Sequence, residues 1–302
     1  MAVSDLQLTT IADNLVLSSG LWGQWGLSFL IELTDSKGDA RKVLFDTAND
    51  TWPFLYNIEK LEIDLEGLDA IVLSHGHNDH TVATVEALKM TGGCPVYAHP
   101  HCFLPRFNRS KTGKLTPNGV PEGQGIAEIE NAGGQIVLTS DPVEIVPGLW
   151  TTGQVTRSND FEVIPQYKNG SKRVIVEDEE HKEDLILCDQ SLWMDVEDTG
   201  CWTITGCAHS GPVNTLSHVK KLGGFGSIYA YIGGTHLVAR EDEYILQTAD
   251  EMKKFGLELF APCHCTGFNA MSLLHREFGE RFMVNFCGRI IKSSEKNPRM
   301  VI

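Results

Sequence analysis

Three histidines and one aspartate lie within six residues, one residue after a short apolar run. The apolar run is Ala-Ile-Val-Leu at residues 70–73, and the polar run contains His75, His77, Asp79 and His80. In extended backbone, residues two apart project to the same side, so the first two histidines can chelate one ion. The turn that follows brings the aspartate and the last histidine towards a neighbouring position. A solvated turn or a set of core histidines explains this spacing poorly, and the run therefore predicts a metal site.

The ligand types indicate which ions and which chemistry to expect. Imidazole and carboxylate together suit zinc, and also manganese or iron, so we expect one or two divalent ions with zinc favoured. Such an ion lowers the pKa of a bound water to about 7 and polarises the oxygen under attack. Metal-bound hydroxide would then attack an ester, lactone or phosphodiester bond without a protein nucleophile. Asp79 is expected to bind the second ion and to orient that hydroxide.

Composition narrows the possible partners. The net charge is −15, and an acidic surface repels the phosphates of a nucleic acid. No run reaches the roughly 18 apolar residues of a membrane helix, and the first residues lack a signal-peptide pattern. Eight cysteines in 302 residues are too few for a disulfide scaffold. We expect a cytoplasmic protein with a small-molecule substrate and with no nucleic-acid or membrane partner; the oligomeric state stays open.

Apolar runs of strand length alternate with segments of helical period, which predicts an α/β fold. Strands are predicted at residues 28–33, 43–45, 70–73, 95–98, 184–188, 202–205, 228–232, 257–261 and 282–286. Helices are predicted near residues 81–90, 213–222 and 241–255, and between the last two strands. Residues 108–124 are rich in Gly, Pro, Lys and Asn and are predicted to form a surface loop or lid.

The polar run resembles the His-x-His-x-Asp-His signature of the metallo-β-lactamase superfamily. Four further segments are similar to a branch described as dihydropterin-ribofuranosylaminobenzene-phosphate synthase-like metal-dependent hydrolases; they are residues 26–32, 44–47, 205–211 and 262–267. The resemblance spans nearly the whole chain. It implies one domain over residues 1–302, folded as an αββα sandwich of two mixed β-sheets flanked by helices.

The resemblance also implies that the second half of the chain supplies a histidine, a bridging aspartate and a last histidine. His264 looks like the last histidine. Cys207 falls on the position of the bridging aspartate, and His209 lies two residues further on, so either could be the ligand. His209 is favoured, because a thiol among apolar neighbours can be a plain core residue. Asp46 is expected to brace the site without binding metal.

Two cysteines flank His264. Cys263 and Cys265 lack the two-residue gap of a zinc knuckle or a thioredoxin-like pair, and consecutive side chains in an extended turn point apart. A structural or merely buried role is expected for both.

Other polar residues are candidates for substrate binding. His236 could contact the substrate or protonate its leaving group, or make a structural hydrogen bond. His99 could face the pocket or lie in a loop without a role. Arg157 lies where the branch has a similar Thr-Gly-x-x-x-Arg run, so it could meet an anionic substrate or form a surface salt bridge. His181, in an acidic loop, is expected to be a solvated surface residue.

Three functional hypotheses follow. The first is a metal-dependent hydrolase of a small molecule. The second is the pterin-related transferase that the branch implies, which needs a pocket for a flat heterocycle and a phosphate. The third is a metal-binding sensor with little turnover. An open metal position separates the first from the third, and analysis of the products separates the first from the second.

Overall fold

The structure, a computed structural model, describes residues 2–35, 37–164 and 170–295. Its strands are β1 (Ser4–Ala12), β2 (Ser28–Thr34), β3 (Ala40–Phe45), β4 (Ala70–Val72), β5 (Pro95–Ala98), β6 (Arg106–Arg109), β7 (Leu115–Pro117), β8 (Gln135–Leu138), β9 (Glu144–Val146), β10 (Leu149–Thr151), β11 (Lys172–Glu177), β12 (Glu180–Glu183), β13 (Ser191–Val196), β14 (Gly200–Thr205), β15 (Ala230–Gly234), β16 (Leu259–Cys263) and β17 (Ile290–Lys292). Its α-helices are α1 (Thr51–Lys60), α2 (Thr84–Thr91), α3 (Ile126–Asn131), α4 (Pro212–Gly223), α5 (Asp242–Lys253) and α6 (Phe268–Phe278).

Two mixed sheets form the centre of the molecule. The first has the strand order β17-β1-β2-β3-β4-β5-β8, antiparallel up to β3 and parallel from there. The second has the order β16-β15-β14-β13-β10-β9, parallel among its first three strands and antiparallel beyond. Among the residues that the structure describes, no helix is long and apolar enough to cross a membrane. The assignment of residues 1–302 to one domain stays a prediction.

Alternating side chains explain the layers. In β2, Phe29 and Ile31 enter an apolar layer between the two sheets, whereas Leu30 packs on the other face with residues of α1 and α2. In β15, Ile232 enters the same central layer, whereas Tyr231 packs with residues of α4, α5 and α6. Burying one such side chain stabilises the fold by about 1.5–3 kcal/mol. The three apolar layers thus hold an αββα sandwich together, as predicted.

The segment 108–124 is not simply a loop. Its first residues continue β6, and β7 follows, in a four-stranded antiparallel sheet of order β12-β11-β6-β7. The glycine and polar residues that suggested a loop form the hairpin turn, where Gly113 has a φ of 84°. The loop prediction is therefore wrong for the strand residues. Asn118, just beyond β7, accepts a hydrogen bond from the backbone N–H of Asn78, which brings this segment onto the polar run.

Two predicted strands are absent. Residues 184–188 form a turn, because the Asp184 carboxylate accepts a hydrogen bond from the Ile186 N–H and Ile186 has a φ of 48°. Residues 282–286 make an isolated bridge from Phe282 to β16. Both segments are apolar enough to suggest a strand, but neither pairs along its length with a neighbouring strand.

Candidate metal centre

The polar run leaves the end of β4 through a tight turn. A Cβ atom on Gly76 would overlap the carbonyl oxygen of Cys102, so only glycine fits there. The chain then passes into a short 3₁₀ turn over Asn78–His80. This path places His75 Nε2 2.9 Å from His77 Nδ1.

His209 completes a group of three histidines. Its Nε2 atom lies 3.2 Å from His75 Nε2 and 3.1 Å from His77 Nδ1. A tetrahedral zinc ion bound at about 2.0–2.1 Å keeps its nitrogen ligands about 3.3 Å apart. The three nitrogens are therefore spaced to hold one ion.

These three imidazoles are neutral at pH 7. Burial, together with the neighbouring histidines, lowers the pKa of His75 and His209 well below its usual value. Burial, assisted by the charge of Arg106, lowers the pKa of His77 to about 4. Because a metal ligand must be unprotonated, the group is prepared to bind an ion at neutral pH.

A second group lies beside the first and contains Asp79, His80 and His264. The Asp79 Oδ2 atom lies 3.8 Å from His80 Nε2 and 3.4 Å from His264 Nε2. Burial would lower the pKa of His80, but the carboxylates of Asp46 and Asp79 outweigh it and raise the pKa to about 9. An ion bound here would therefore displace a proton from His80.

Cys207 and His209 both face the centre, at different places. His209 lies in the three-histidine group, whereas the Cys207 Sγ atom lies 3.2 Å from His80 Nε2. The Cys207 sulfur is also within 4.8 Å of the ligand nitrogens of His75 and His80. The sequence leaves open whether Cys207 or His209 is the ligand. In the structure both side chains face the centre, each at its own position.

Hydrogen bonds behind the ligands aim them at the centre. Ser74 donates its hydroxyl proton to Asp46 Oδ2 at 2.7 Å, so its oxygen accepts from His75 Nδ1 at 2.9 Å. The same Asp46 oxygen accepts from His80 Nδ1 at 2.6 Å. In both histidines the Nε2 atom is left to face the ligand groups. Asp46 is buried and braces the site through these contacts.

Residues after β1 hold His264 in place. Asp13 accepts a hydrogen bond from the His264 backbone N–H at 2.9 Å, and Asn14 Oδ1 accepts from His264 Nδ1 at 3.0 Å. The buried Nε2 atom of His264 makes no hydrogen bond of good geometry among the described residues, and its polar neighbour is Asp79 Oδ2 at 3.4 Å. A buried nitrogen without a partner is costly, and a bound ion would satisfy it. This atom and the donor set of both groups fit divalent metal.

Asp189 positions His209, although no sequence motif marked it. Its two carboxylate oxygens accept hydrogen bonds from the backbone N–H groups of His209 and Ser210, at 3.0 and 2.8 Å. Burial raises the pKa of Asp189 despite these bonds. An isolated aspartate in a turn carries no motif, so only the tertiary structure reveals this role.

Five residues around the centre have unusual backbone conformations. Their φ angles are positive although none is glycine; they are Asp46 (60°), Ala48 (61°), Ala208 (51°), His236 (52°) and His264 (51°). Such conformations cost about 1–3 kcal/mol each and persist where the surrounding structure imposes them, often at functional sites.

A cavity of about 290 Å³ opens beside the two groups. Asp79, Cys207 and His209 reach its wall, and so do Arg173 and His236. The His236 ring lies 4.3 Å from the His209 ring, centroid to centroid. Burial, followed by the charge of Arg173, lowers the pKa of His236 to about 3. His236 is thus a neutral imidazole at the cavity.

The structure does not bring the other two predicted substrate contacts to this cavity. His99 Nδ1 accepts a hydrogen bond from the His101 N–H at 3.0 Å and so caps a short 3₁₀ helix. Arg157 donates to the carbonyl of Leu185 at 2.7 Å. His181 is exposed on β12. Arg173, on the neighbouring strand β11, is the cationic residue at the cavity, and no sequence motif marked it.

Comparison with known proteins agrees with this fold. A family model described as the metallo-β-lactamase superfamily matches residues 26–165. The chain belongs to the metallo-β-lactamase superfamily. Within it, the chain is 34% identical over 297 residues to the 7,8-dihydropterin-6-methyl-4-(β-D-ribofuranosyl)-aminobenzene-5'-phosphate synthase of Methanocaldococcus jannaschii, covering 96% of this chain and 97% of that protein.

Solved structures show the same fold. Tm1679, described as a metal-dependent hydrolase of the β-lactamase superfamily, matches with a TM-score of 0.76 and 24% identity, over 96% of this chain and 100% of that one. The metallo-β-lactamase fold protein YhfI from Bacillus subtilis matches with a TM-score of 0.55 and 12% identity, over 96% of this chain and 99% of that one. The predicted metallo-β-lactamase sandwich is confirmed.

Proposed function

We propose that this protein is a metal-dependent hydrolase that cleaves an ester, lactone or phosphodiester bond of a small molecule in the cytoplasm. The observation that carries the proposal is the convergence of His75, His77 and His209 within 3.2 Å of one another, beside a second group and a cavity. Asp79, His80 and His264 would hold a second ion. Ions bound there, zinc foremost and otherwise manganese or iron, would supply hydroxide at neutral pH and polarise the oxygen under attack.

Asp79 is the residue proposed to orient the nucleophile. Burial would raise its pKa, but the charges of His80 and His264 lower the pKa below the usual range of a carboxyl group. Asp79 is therefore ionised at neutral pH and accepts hydrogen bonds. His236, a neutral imidazole beside His209 at the cavity wall, would hydrogen-bond a substrate in the cavity. Its role in protonating the leaving group stays a prediction.

The cavity favours a substrate that carries negative charge. Arg173 is largely buried at the cavity wall, and its charge contributes to the lowered pKa values of both His209 and His236. A guanidinium group matches the geometry of a carboxylate or phosphate. We therefore propose that Arg173 binds an anionic group of the substrate. From sequence alone, Arg157 is a candidate for this role.

Replacing Arg173 with Gln tests this assignment. We expect KM for an anionic substrate to rise about tenfold or more, consistent with the loss of a charge-assisted hydrogen bond of about 1.5–3 kcal/mol. KM for a neutral substrate of the same bond type should change little. Arg109→Gln is the matched control, because Arg109 lies on the adjacent strand and is bonded to exposed His181. Equal losses for anionic and neutral substrates would contradict a role in charge recognition.

The central test combines metal analysis with a substrate screen. The purified protein should contain about one to two equivalents of transition metal, and His77→Ala and His264→Ala should each lower that content. His181→Ala should not, since its side chain is exposed on β12. With zinc, manganese or iron present, the wild type should hydrolyse at least one generic phosphodiester, lactone or thioester. A protein that takes up none of these metals would refute the proposal.

A pterin-related transferase is the alternative function. It is favoured by the 34% identity to the Methanocaldococcus jannaschii synthase, which extends over nearly the full length of both chains. Trp25, half-exposed at the cavity wall with its ring 5.4 Å from that of His264, could cover a flat heterocycle. Mass spectrometry separates the two, since hydrolysis adds water across a bond, whereas transfer moves a group from one substrate to the other and releases the rest of the donor. A metallated wild type inert to all hydrolase substrates would favour the transferase, or a sensor with little turnover.

A further inference from the structure

A cysteine sulfur lies between the three-histidine group and the group of Asp79, His80 and His264. The Cys207 thiol is buried, and its Sγ atom lies 3.2 Å from His80 Nε2. It shares one group of candidate ligands with His75 and His80, and another with His264 and Cys265; within each group all ligand atoms lie within 4.8 Å of one another. The sulfur thus approaches nitrogens from both groups.

The local fold directs Cys207 to this place. The chain leaves β14 through Gly206, where a Cβ atom would overlap the Ser74 hydroxyl and would lie 2.9 Å from Asp46 Oδ2. Only glycine allows the backbone to pass so close to these two bracing side chains. The next residue therefore enters beside His80, on the inner side of the cavity wall.

Cys265 has a different environment. Its sulfur accepts a hydrogen bond from the His236 backbone N–H at 3.3 Å and lies 3.7 Å from the Cys207 carbonyl oxygen. It fits into space left by Gly234, where a Cβ atom would lie 2.6 Å from the Cys265 sulfur. These backbone contacts hold Cys265, which also hydrogen-bonds with the Cys207 side chain. The Cys207 sulfur, in contrast, lies 3.2 Å from the ring nitrogen of His80.

We propose that Cys207 is a metal ligand through its thiolate, placed between the two ion positions. The inference rests on the metal centre of the proposed function. Coordination replaces the S–H bond with a sulfur–metal bond, and the thiol proton leaves to solvent. Thiolate is a softer ligand than carboxylate and favours zinc or iron over manganese. This centre is therefore selective for softer ions than one bridged by aspartate.

Cobalt titration of the metal-free protein tests the inference without any substrate. The wild type should develop the near-ultraviolet absorption of sulfur-to-cobalt charge transfer as cobalt binds. Cys207→Ser should bind cobalt but lose this absorption, whereas Cys265→Ser and Cys94→Ser should keep it. Cys94 is a suitable control because it is buried in the helix-side core of the first sheet. Cys207→Asp should bind cobalt without the absorption and show a smaller preference for zinc over manganese than the wild type.

The outcomes separate this inference from the proposed function. If the wild type takes up cobalt without the absorption, the metal centre is supported but Cys207 is not a thiolate ligand. The contact of Cys207 with His80 would then be a hydrogen bond only. An absorption that survives in Cys207→Ser but disappears in Cys265→Ser would also overturn the assignment. Failure of the wild type to bind cobalt, zinc or iron would refute both proposals. X-ray absorption of the zinc form gives a second measurement, with a zinc–sulfur distance of about 2.3 Å expected in the wild type alone.

Discussion

Individual ligands in this centre are oriented by the residues behind them. Asp46 bonds the far nitrogen of His80, and Asn14 bonds the far nitrogen of His264. Each bond fixes the ring and leaves the other nitrogen facing the candidate ion position. The geometry of the site therefore exists before an ion binds, which reduces the conformational entropy lost on binding.

Asp79 provides the sharpest test at this scale. Asp79→Asn removes the negative charge but nearly keeps the volume, so the fold should be little disturbed. We expect kcat/KM to fall about a hundredfold or more, in line with the loss of a main electrostatic group. The ion at His75, His77 and His209 should remain, which metal analysis would show as about one equivalent retained.

A matched control for that experiment is Asp64→Asn, because the Asp64 side chain is 76% exposed and lies beside Lys42, outside both ligand groups. This variant should keep full activity and metal content. Turnover that survives Asp79→Asn unchanged would exclude the proposed role of the carboxylate.

At the scale of strands and turns, local sequence patterns predicted those features that depend on neighbouring residues in the chain. The predicted strand 95–98 coincides with β5, and the run from His75 to His80 forms one compact turn after β4. The relative positions of ligands within a single turn can be predicted from sequence, because the short chain between them limits the distances between their side chains. His209 and His264 came from resemblance to a family, since no local rule connects residues more than a hundred positions apart.

Other parts of the site could not be predicted because tertiary contacts create them. Arg173 reaches the cavity from β11, and Asp189 reaches the His209 loop from a turn. Neither lies in a motif or a periodic pattern. The missing strand at 184–188 has a local and a tertiary cause, since the Asp184 side chain accepts a hydrogen bond from the Ile186 N–H and also pairs with buried Arg106.

The turn at Gly76 gives a prediction for this scale. Gly76→Ala would place a Cβ atom in overlap with the Cys102 carbonyl, so the turn must shift. We expect the free energy of unfolding in urea to fall by about 3 kcal/mol, with a lower metal content, as for other overpacked sites. Gly226→Ala is the control, because a Cβ there has nothing within 4 Å, and its effect should stay below about 1 kcal/mol. Equal stability of the two variants would show that the turn adapts freely.

On the scale of the whole molecule, the candidate centre joins the two sheets. His75 and His77 follow β4 of the first sheet, whereas His209 and His264 follow β14 and β16 of the second. An ion bound by both sides would link the sheets and stabilise the folded state by mass action, about 2.7 kcal/mol at a hundredfold excess over Kd. Without the ion, the buried imidazoles set the pH dependence of stability.

Two opposite pKa shifts, at His77 and His80, contribute to that dependence. The folded-state pKa of His77 is lowered from 6.5 to about 4, so its contribution is complete above pH 6.5 and is lost as the pH falls through about 4. The folded-state pKa of His80 is raised from 6.5 to about 9, so its contribution is complete below pH 6.5 and is lost as the pH rises through about 9. Together, these two histidines contribute most to the stability of the metal-free protein near pH 6.5.

Thermal unfolding in the presence of a chelator, from pH 4 to pH 9, measures this profile. We expect Tm to fall on both sides of the optimum, with the acid side shallower in His77→Gln and the alkaline side shallower in His80→Gln. His181→Gln is the control, because that side chain is exposed and should leave the profile unchanged. Metal-loaded protein should lose much of the alkaline decline, since an ion replaces the proton on His80. A metal-free profile that is flat across this range would contradict the charge states assigned to the two histidines.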